Sequence, residues 1–209
     1  MSELILPITF SAFWLHAHGE GGGADFDLVM ERDREGFPVL RARHVAGLLR
    51  VALLRAEAWE WFPAASTGIA SILLGDLGDN GPGCLSVSDA RLSDGLQEAL
   101  GPDRTWALFQ RIPSTAIDPK TGAAKPKHLR AVEAALPVPL RARIQFEPGR
   151  RRIWAGGRPD EHAVLAKAEQ HWRSWIACAW PAFDEAGAKR TRGFGRIAWR
   201  ELSGEATGA

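Results

Sequence analysis

The stretch PLRARIQFE, residues 139–147, carries the clearest strand pattern in the chain and anchors the prediction of the fold. Its apolar side chains alternate with polar ones: Leu140, Ala142, Ile144 and Phe146 against Arg141, Arg143, Gln145 and Glu147. Successive side chains of a strand point to opposite faces, so the pattern predicts a β-strand with one buried face.

Other segments on both sides of this strand have equally regular patterns. Residues 3–14 alternate in the same way and predict a first strand, whereas residues 45–56 and 159–179 carry apolar side chains at helical spacing. Shorter strands are predicted at SILL (71–74), at 84–89 and at the C-terminal end of KRTRGFGRIAWREL (189–202), and GRRRIWAGGRPDEH (149–162) reads as a basic turn leading into the second helix.

The order of these elements is strand, helix, strands, helix, strand. It predicts an α+β fold of the ferredoxin-like or RNA-recognition-motif-like type, with an antiparallel sheet and two helices. The chain is expected to form a single domain over residues 1–209, with insertions at about 16–38, 62–83 and 113–138. This fold hosts many functions, so the element order alone does not identify one.

Composition narrows the class of protein. The 209 residues are 45% hydrophobic and 24% charged, which is typical of a globular protein. No apolar run approaches the roughly 20 residues that a membrane-spanning helix needs, and the N-terminus lacks the features of a signal peptide. Cys84 and Cys178 belong to no metal-binding or disulfide pattern. We therefore expect a cytoplasmic protein without a membrane partner.

Charge is divided unequally along the chain. Residues 1–105 carry 8 basic and 15 acidic side chains, whereas residues 106–200 carry 18 basic and 8 acidic ones. Of the 26 basic residues, 21 are arginine, whose planar guanidinium binds phosphate through two hydrogen bonds. The basic half of the chain favours an anionic partner.

The sequence contains two glycine-rich loops, one after the first predicted strand and one before the last predicted strand. HAHGEGGGADFDLVMERD (16–33) has four glycines between its histidines and aspartates, and KRTRGFGRI (189–197) surrounds two glycines with basic side chains. Glycines allow backbone N–H groups to approach a phosphate closely, and arginines supply charge. The alternative is that the loops only turn the chain.

Four segments in order resemble the RAMP superfamily of CRISPR proteins. They are the glycine loop with its aspartates and first helix (16–50), LLGDLGDNGPGCLSVSDA (73–90), RIPSTAIDPKTGAAKPKHLRAVEAALP (111–137) and RTRGFGRI (190–197). The helix start, RARHVAGLLR (41–50), keeps the glycine and final arginine of the family pattern but has Arg43 and His44 in place of small hydroxyl residues. The chain is most similar to the backbone subunits of type III effector complexes.

This resemblance implies a function. Such subunits bind the guide RNA (crRNA), assemble with copies of themselves or with related RAMP proteins, and use a thumb to disrupt the duplex of guide and target RNA. The resemblance implies that the insertion at 113–138 is this thumb hairpin and that the fold also carries a lid insertion. The residues implied to bind RNA are Gly19, Gly21, Gly22, Arg43, His44, Arg50, Lys120, Lys125, Lys127, Arg190, Arg192, Gly193, Phe194, Gly195 and Arg196.

The resemblance also implies a catalytic residue. Members that cut target RNA have an aspartate after the glycine loop, and Asp27 in DLVMERD matches its offset from Arg32 and Asp33. A carboxylate beside the scissile phosphate can hold a divalent cation, either Mg²⁺ or Mn²⁺, that screens developing charge. Asp25 competes locally for this role, and both aspartates could instead be turn residues.

Two alternatives stay open on the sequence. The chain could be a non-catalytic RNA-binding assembly subunit, which needs no cofactor. It could instead process the guide precursor without metal, as some RAMP relatives do with a histidine near the first helix. His44 occupies that neighbourhood, and an ordinary imidazole pKa suits a general base.

Overall fold

The computed structural model describes residues 3–17, 27–63, 67–75, 81–156, 158–198 and 202, the side chains of 126–129 excepted. Its helices are α1 (Ala42–Ala58), α2 (Ile69–Leu74), α3 (Asp94–Leu100), α4 (Gly149–Ala155) and α5 (Pro159–Ala179). Its strands are β1 (Glu3–Thr9), β2 (Leu85–Val87), β3 (Phe109–Ile117), β4 (Ala124–Ala135) and β5 (Pro139–Phe146). Short 3₁₀ segments span Pro102–Leu108, Trp180–Ala182 and Arg190–Arg192.

The strand predicted most clearly lies at the centre of the main sheet. β5 pairs antiparallel with β1 on one side and with β2 on the other, giving the order β1-β5-β2. Leu140, Ala142 and Ile144 are completely buried, while Arg141 and Arg143 on the opposite face are exposed. The predicted alternation and the mixed α+β class with antiparallel pairing are confirmed.

The two long helices cover the apolar face of this sheet. α1 buries Val45, Leu49 and Leu53, and α5 buries Leu165 and Trp172, all in the same core as β5. The Trp172 ring stacks on Phe146 of β5 with centroids 6.0 Å apart. Each fully buried aliphatic or aromatic side chain contributes about 1.5–3 kcal/mol, so this layer accounts for much of the stability.

Four local predictions differ from the structure. β1 ends at Thr9, and Phe10 and Trp14 form only single bridges beyond it. The expected strand at 71–74 is part of helix α2, and the expected turn at 149–155 is helix α4. The expected final strand is reduced, among the residues the structure describes, to single bridges at Arg196 and Ile197.

The segment from Phe109 to Ala135 is a long antiparallel hairpin outside the main sheet. β3 pairs with β4 from Phe109↔Ala135 to Ile117↔Ala124, with an irregularity between Thr115 and Ile117. The turn is closed by Asp118, whose carboxylate accepts from the Lys120 N–H at 2.9 Å and whose carbonyl accepts from the Gly122 N–H at 2.8 Å. The hairpin overlaps the segment 113–138, where the sequence predicts an insertion, from residue 113 to residue 135.

None of the helices within the described ranges is long and apolar enough to cross a membrane.

Candidate nucleic-acid interface

The N-terminus of α1 is fixed by a carboxylate from a distant part of the chain. Asp89, which follows β2, accepts the Ala42 N–H at 2.8 Å and the Arg41 guanidinium at 3.2 Å. Burial raises the pKa of Asp89, but the Ala42 N–H and the guanidinium groups of Arg41 and Arg91 outweigh this effect and lower it below its ordinary value. A negative charge here complements the helix dipole, so Asp89 acts as the cap that residue 41 does not provide.

A cleft of about 770 Å³ opens beside this helix start. Charged side chains and two imidazoles make up its polar part, and Gly47, Leu48 and Val51 of α1 make up its apolar part. The lining residues are His16, Glu31, Arg41, Ala42, Arg43, His44, Gly47, Leu48, Val51, Asp89 and Arg190. Arg43, His44 and Arg190, which the sequence predicted as RNA contacts from two distant segments, therefore meet at one cleft.

Sequence reasoning missed the ionic contacts among the residues that line this cleft. Glu31 is 5% exposed and is held by the Arg41 guanidinium, and its second carboxylate oxygen lies 3.6 Å from Nε2 of His16. Asp89 stands in the SVSDA segment that contributed to the family resemblance, so a signal was present, but nothing in its spacing tied it to Arg41.

His44 is held in its neutral form by burial and by a backbone N–H that lies just before the basic glycine loop. Its Nε2 accepts the Gly187 N–H at 3.1 Å, and its ring lies 4.7 Å from that of His16 between centroids. Burial, reinforced by His16 and Arg190, lowers the pKa of His44 from 6.5 to about 4. With Nε2 accepting, a neutral imidazole carries its proton on Nδ1 and can only donate from there.

This arrangement predicts a pH dependence of folding stability. The unfolded chain takes up a proton at His44 below its ordinary pKa near 6.5, whereas the folded chain resists protonation until about pH 4. Titration of His44 therefore leaves the free energy of unfolding unchanged above pH 6.5 and lowers it progressively as the pH falls toward 4. His44→Gln keeps a hydrogen-bond acceptor but does not titrate. We therefore expect its free energy of unfolding, measured in urea, to fall less than that of the wild type between pH 7 and pH 5. Equal falls would contradict the lowered pKa of His44.

The basic glycine loop is tied to the segment after β1 by backbone hydrogen bonds. The Gly195 N–H donates to the Phe13 carbonyl and the Ala188 N–H to the Leu15 carbonyl, each at 2.7 Å. Gly195 has φ +71°, and a Cβ atom there would meet the Ala186 carbonyl oxygen. Gly193 has φ +81°, but a Cβ atom there would meet nothing within 4 Å.

The side chains of this loop also differ from one another in their exposure to solvent. Arg190, Arg192 and Arg196 are exposed, whereas Phe194 is half-buried against the core. Only part of the predicted loop is thus available to a ligand. Gly195 is explained by contact with the protein's own backbone, and Gly193 remains open to an approaching phosphate.

Asp27 lies at the base of the hairpin. Its N–H donates to the Ala131 carbonyl at 2.9 Å, and the next residue forms a parallel bridge with Val132 of β4. The Asp27 side chain is exposed, and its carboxylate makes no hydrogen bond or ion pair with any residue that the structure describes. Within those residues, no three His, Cys, Asp or Glu side chains gather as a metal site.

A second contact joins this segment to the hairpin. The Arg32 guanidinium donates to Glu133 at 2.7 Å and stacks 4.0 Å above the Phe109 ring. Each interaction is worth at most a few kcal/mol, but together with the backbone bridge they fix Asp27 relative to the two hairpin strands.

The other predicted RNA contacts are less uniform. Arg50 donates to the carbonyls of Leu74 and Gly75 at 2.9 and 2.6 Å, which occupies its guanidinium at the end of α2. Lys120 and Lys125 are exposed near the hairpin turn. The side chain of Lys127 and residues Gly19, Gly21, Gly22 and Asp25 lie outside the part of the chain that the structure describes.

Comparison with known proteins identifies one family. A model described as the RAMP superfamily matches residues 15–198. Two solved structures share the fold at 11% sequence identity: type III-B Cmr-beta bound to cognate target RNA, with a TM-score of 0.66, and the apo state of type III-B Cmr-beta, with a TM-score of 0.65. In both comparisons the aligned region covers 97% of this chain and 98% of the matched chain. No individual curated protein sequence matches the chain.

Proposed function

This chain belongs to the RAMP superfamily, and we propose that it is a guide-RNA-binding backbone subunit of a type III CRISPR effector complex. The observation that carries the proposal is the meeting of Arg43 and His44, at the start of α1, with Arg190 of the glycine loop. His44 and Arg190 are 146 positions apart in the 209-residue chain, and their convergence on one cleft gives an anionic backbone a defined place to bind.

The chemistry of the cleft suits phosphates without regard to sequence. Arg43 and Arg190 supply positive charge, and neutral His44 supplies one N–H donor from Nδ1. Contacts of this kind contribute affinity but carry no information about bases. A protein that carries guides of arbitrary sequence needs such contacts.

The hairpin provides the second part of the proposal. It extends from the main sheet with exposed Lys120 and Lys125 near its turn, and its base is joined to the segment after β1. In the proposed function it contacts the guide–target duplex, and the chain assembles with other effector subunits, including copies of itself or related RAMP proteins. The similar structures are complexes of type III-B Cmr-beta, one with target RNA, which supports these partners.

The proposal predicts salt-dependent binding of single-stranded RNA. The logarithm of the affinity should fall linearly with the logarithm of the salt concentration, with a slope of about −0.7 per phosphate contact. Replacing Arg43 and Arg190 together with alanine should make that slope shallower by about 1.4, because two contacts are lost. Fluorescence anisotropy with oligouridine over a salt series measures both quantities.

Arg152→Ala is the matched control for this experiment. Arg152 is exposed but pairs with Glu169 at 3.3 Å on the α4–α5 surface, outside the cleft. The Arg152→Ala variant should show the same dependence of RNA affinity on salt concentration as the wild type. A wild-type affinity independent of salt, or equal slopes for the cleft and control variants, would overturn the proposed interface.

Cleavage of target RNA through Asp27 is the further activity we propose. Asp27 is exposed and held at the hairpin base, so its carboxylate can face a bound target strand. Mg²⁺ is often held by one carboxylate and the phosphates of the substrate, so Asp27 could hold a Mg²⁺ or Mn²⁺ ion only in partnership with RNA. The ion would supply charge stabilisation, and the chain supplies the fixed position of the carboxylate.

The two alternatives fare differently against the geometry. A purely structural RNA-binding subunit uses the same cleft and differs only in the role of Asp27. Precursor processing by His44 as a general base is disfavoured, because its Nε2 is occupied by the Gly187 N–H and its pKa of about 4 makes it a weak base. A chelator separates these activities, since it would stop Asp27-dependent cleavage and leave His44 chemistry intact.

A further inference from the structure

Gly47 lies in the interior of helix α1. It is the sixth residue of this 17-residue helix, beyond the first turn. Glycine at such a position lowers the folding equilibrium constant roughly 4- to 5-fold relative to alanine, because it loses the most backbone entropy on folding. Its presence here therefore calls for a reason other than helix formation.

The packing of the protein itself does not supply that reason. Gly47 has ordinary helical geometry, and a Cβ atom added to it would meet nothing within 4 Å among the described residues, the backbone of α1 left aside. Gly81 is a contrasting case, because it has φ +88° and a Cβ atom there would run into the Trp154 ring. The fold thus requires glycine at 81 but leaves space for a side chain at 47.

The space beside Gly47 belongs to the cleft at the start of α1. Residues four apart lie above one another on a helix, so Gly47 separates Arg43 from Val51 on one row of the helix surface. All three residues are exposed, and all three line the cleft. Along this row the lining changes from a guanidinium group, through bare helix backbone, to an apolar side chain.

This succession matches the repeating unit of an RNA backbone, in which each phosphate is followed by a ribose ring whose carbon atoms form an apolar edge. A phosphate bound by Arg43 and Arg190 would be followed by a ribose beside Gly47. Glycine lets a ligand approach the protein backbone closely. Any side chain at position 47 would hold that ribose away from α1 by at least the width of a methyl group.

We propose that the sugar–phosphate backbone of RNA passes in van der Waals contact with α1 at Gly47. The ribose lies against Gly47, Leu48 and Val51, next to the phosphate contacts of the cleft. This inference rests on the proposed RNA binding and adds to it a steric requirement on the helix surface. The contact selects no sequence, because ribose and phosphate are the same in every nucleotide.

The test measures folding stability and RNA affinity on the same full-length variants. Gly47→Ala should raise the free energy of unfolding in urea, because alanine favours the helix and its Cβ atom has room. The same variant should bind labelled oligouridine roughly 5- to 100-fold more weakly, since a methyl group forced into a close contact has the cost of overpacking. Gly47→Leu should also be more stable than the wild type and should bind more weakly than Gly47→Ala.

Gly95→Ala is the matched control. Gly95 is exposed in helix α3, does not line the cleft, and also has nothing within 4 Å of its Cβ position among the described residues. The Gly95→Ala variant should bind oligouridine like the wild type.

Wild-type RNA affinity in Gly47→Ala would overturn the inference and leave the proposed function standing, whereas failure of the wild type to bind RNA would remove both. A loss of stability in Gly47→Ala would also overturn it, because the protein itself would then occupy the space. Altered self-association of Gly47→Ala with unchanged RNA affinity would overturn it in favour of a protein contact.

Discussion

Gly195→Ala is expected to remove most of the folding stability of this protein. An added Cβ atom would lie 1.8 Å from the Ala186 carbonyl oxygen, far inside van der Waals contact, and the residue has φ +71°, where side chains are strained. The loop cannot move away easily, because the Gly195 N–H donates to Phe13 and its carbonyl accepts from Ala186 at 2.8 Å. We expect a loss above about 4 kcal/mol, a value reached only by severe substitutions.

Gly193→Ala is the matched control in the same loop. Its φ of +81° is similar, but the added Cβ atom would meet nothing within 4 Å. The loss should be limited to the left-handed backbone penalty of roughly 1–2 kcal/mol. Urea unfolding of both variants without RNA measures the difference; similar small losses would show that the Ala186 backbone yields, and would return Gly195 to a role in ligand approach.

These two glycines illustrate what the sequence could and could not reveal about the site. The RGFG pattern correctly predicted a loop needing glycine, but it gave both glycines the same reason, an approaching phosphate. The structure separates them, because the contact that excludes a side chain at Gly195 comes from Ala186 and the bridge of Glu185 to Arg196. Such a contact depends on how the loop folds back on itself, and the spacing of residues in the sequence does not reveal this.

The fold was predictable where periodicity is long. β5 has eight alternating residues, and α1 and α5 have 17 and 21 residues, enough for a repeating apolar face. α2 has six residues, IASILL, and its helical state is supported from elsewhere: Glu57 accepts the Ile69 N–H at 2.6 Å, and Arg50 binds the carbonyls at the other end. Both of these hydrogen-bonding side chains belong to α1. The prediction of a strand at 71–74, which used only the local sequence, was therefore wrong.

The same reason explains the missed helix α4. Its three consecutive arginines suggest a solvated turn, but Arg151 is 5% exposed, donates to Glu161 of α5 and contacts the Ser71 carbonyl at 3.3 Å. A buried arginine with several partners is a tertiary feature. The cleft follows this logic too: Arg43, His44 and Arg190 were recognisable as cations and donors, while the Asp89–Arg41 pair that positions α1 joins residues 48 positions apart.

Asp27→Ala should abolish divalent-metal-dependent cleavage of a guide-matched target RNA in the assembled complex. The fold does not use this carboxylate: the segment is held by the backbone, through the Asp27 N–H to Ala131 and the Glu133 N–H to the Leu28 carbonyl at 3.0 Å. Removing the side chain therefore leaves the hairpin base and the Arg32–Glu133 pair in place. Guide binding should stay at the wild-type level or tighten slightly, because one anionic group beside the RNA is lost.

The controls decide which role Asp27 has. Glu35→Ala removes an exposed carboxylate from the neighbouring turn, and Asp25→Ala removes the aspartate two residues earlier; both should cleave at close to the wild-type rate. Asp27→Asn should be as inactive as Asp27→Ala, since an amide keeps the shape but loses the charge that holds a cation. If Asp27→Ala cleaves at the wild-type rate, the subunit is a scaffold with respect to target RNA. If it loses guide binding instead, the carboxylate supports the loop, because a group acting only on the cleaved bond would leave the many phosphate contacts untouched.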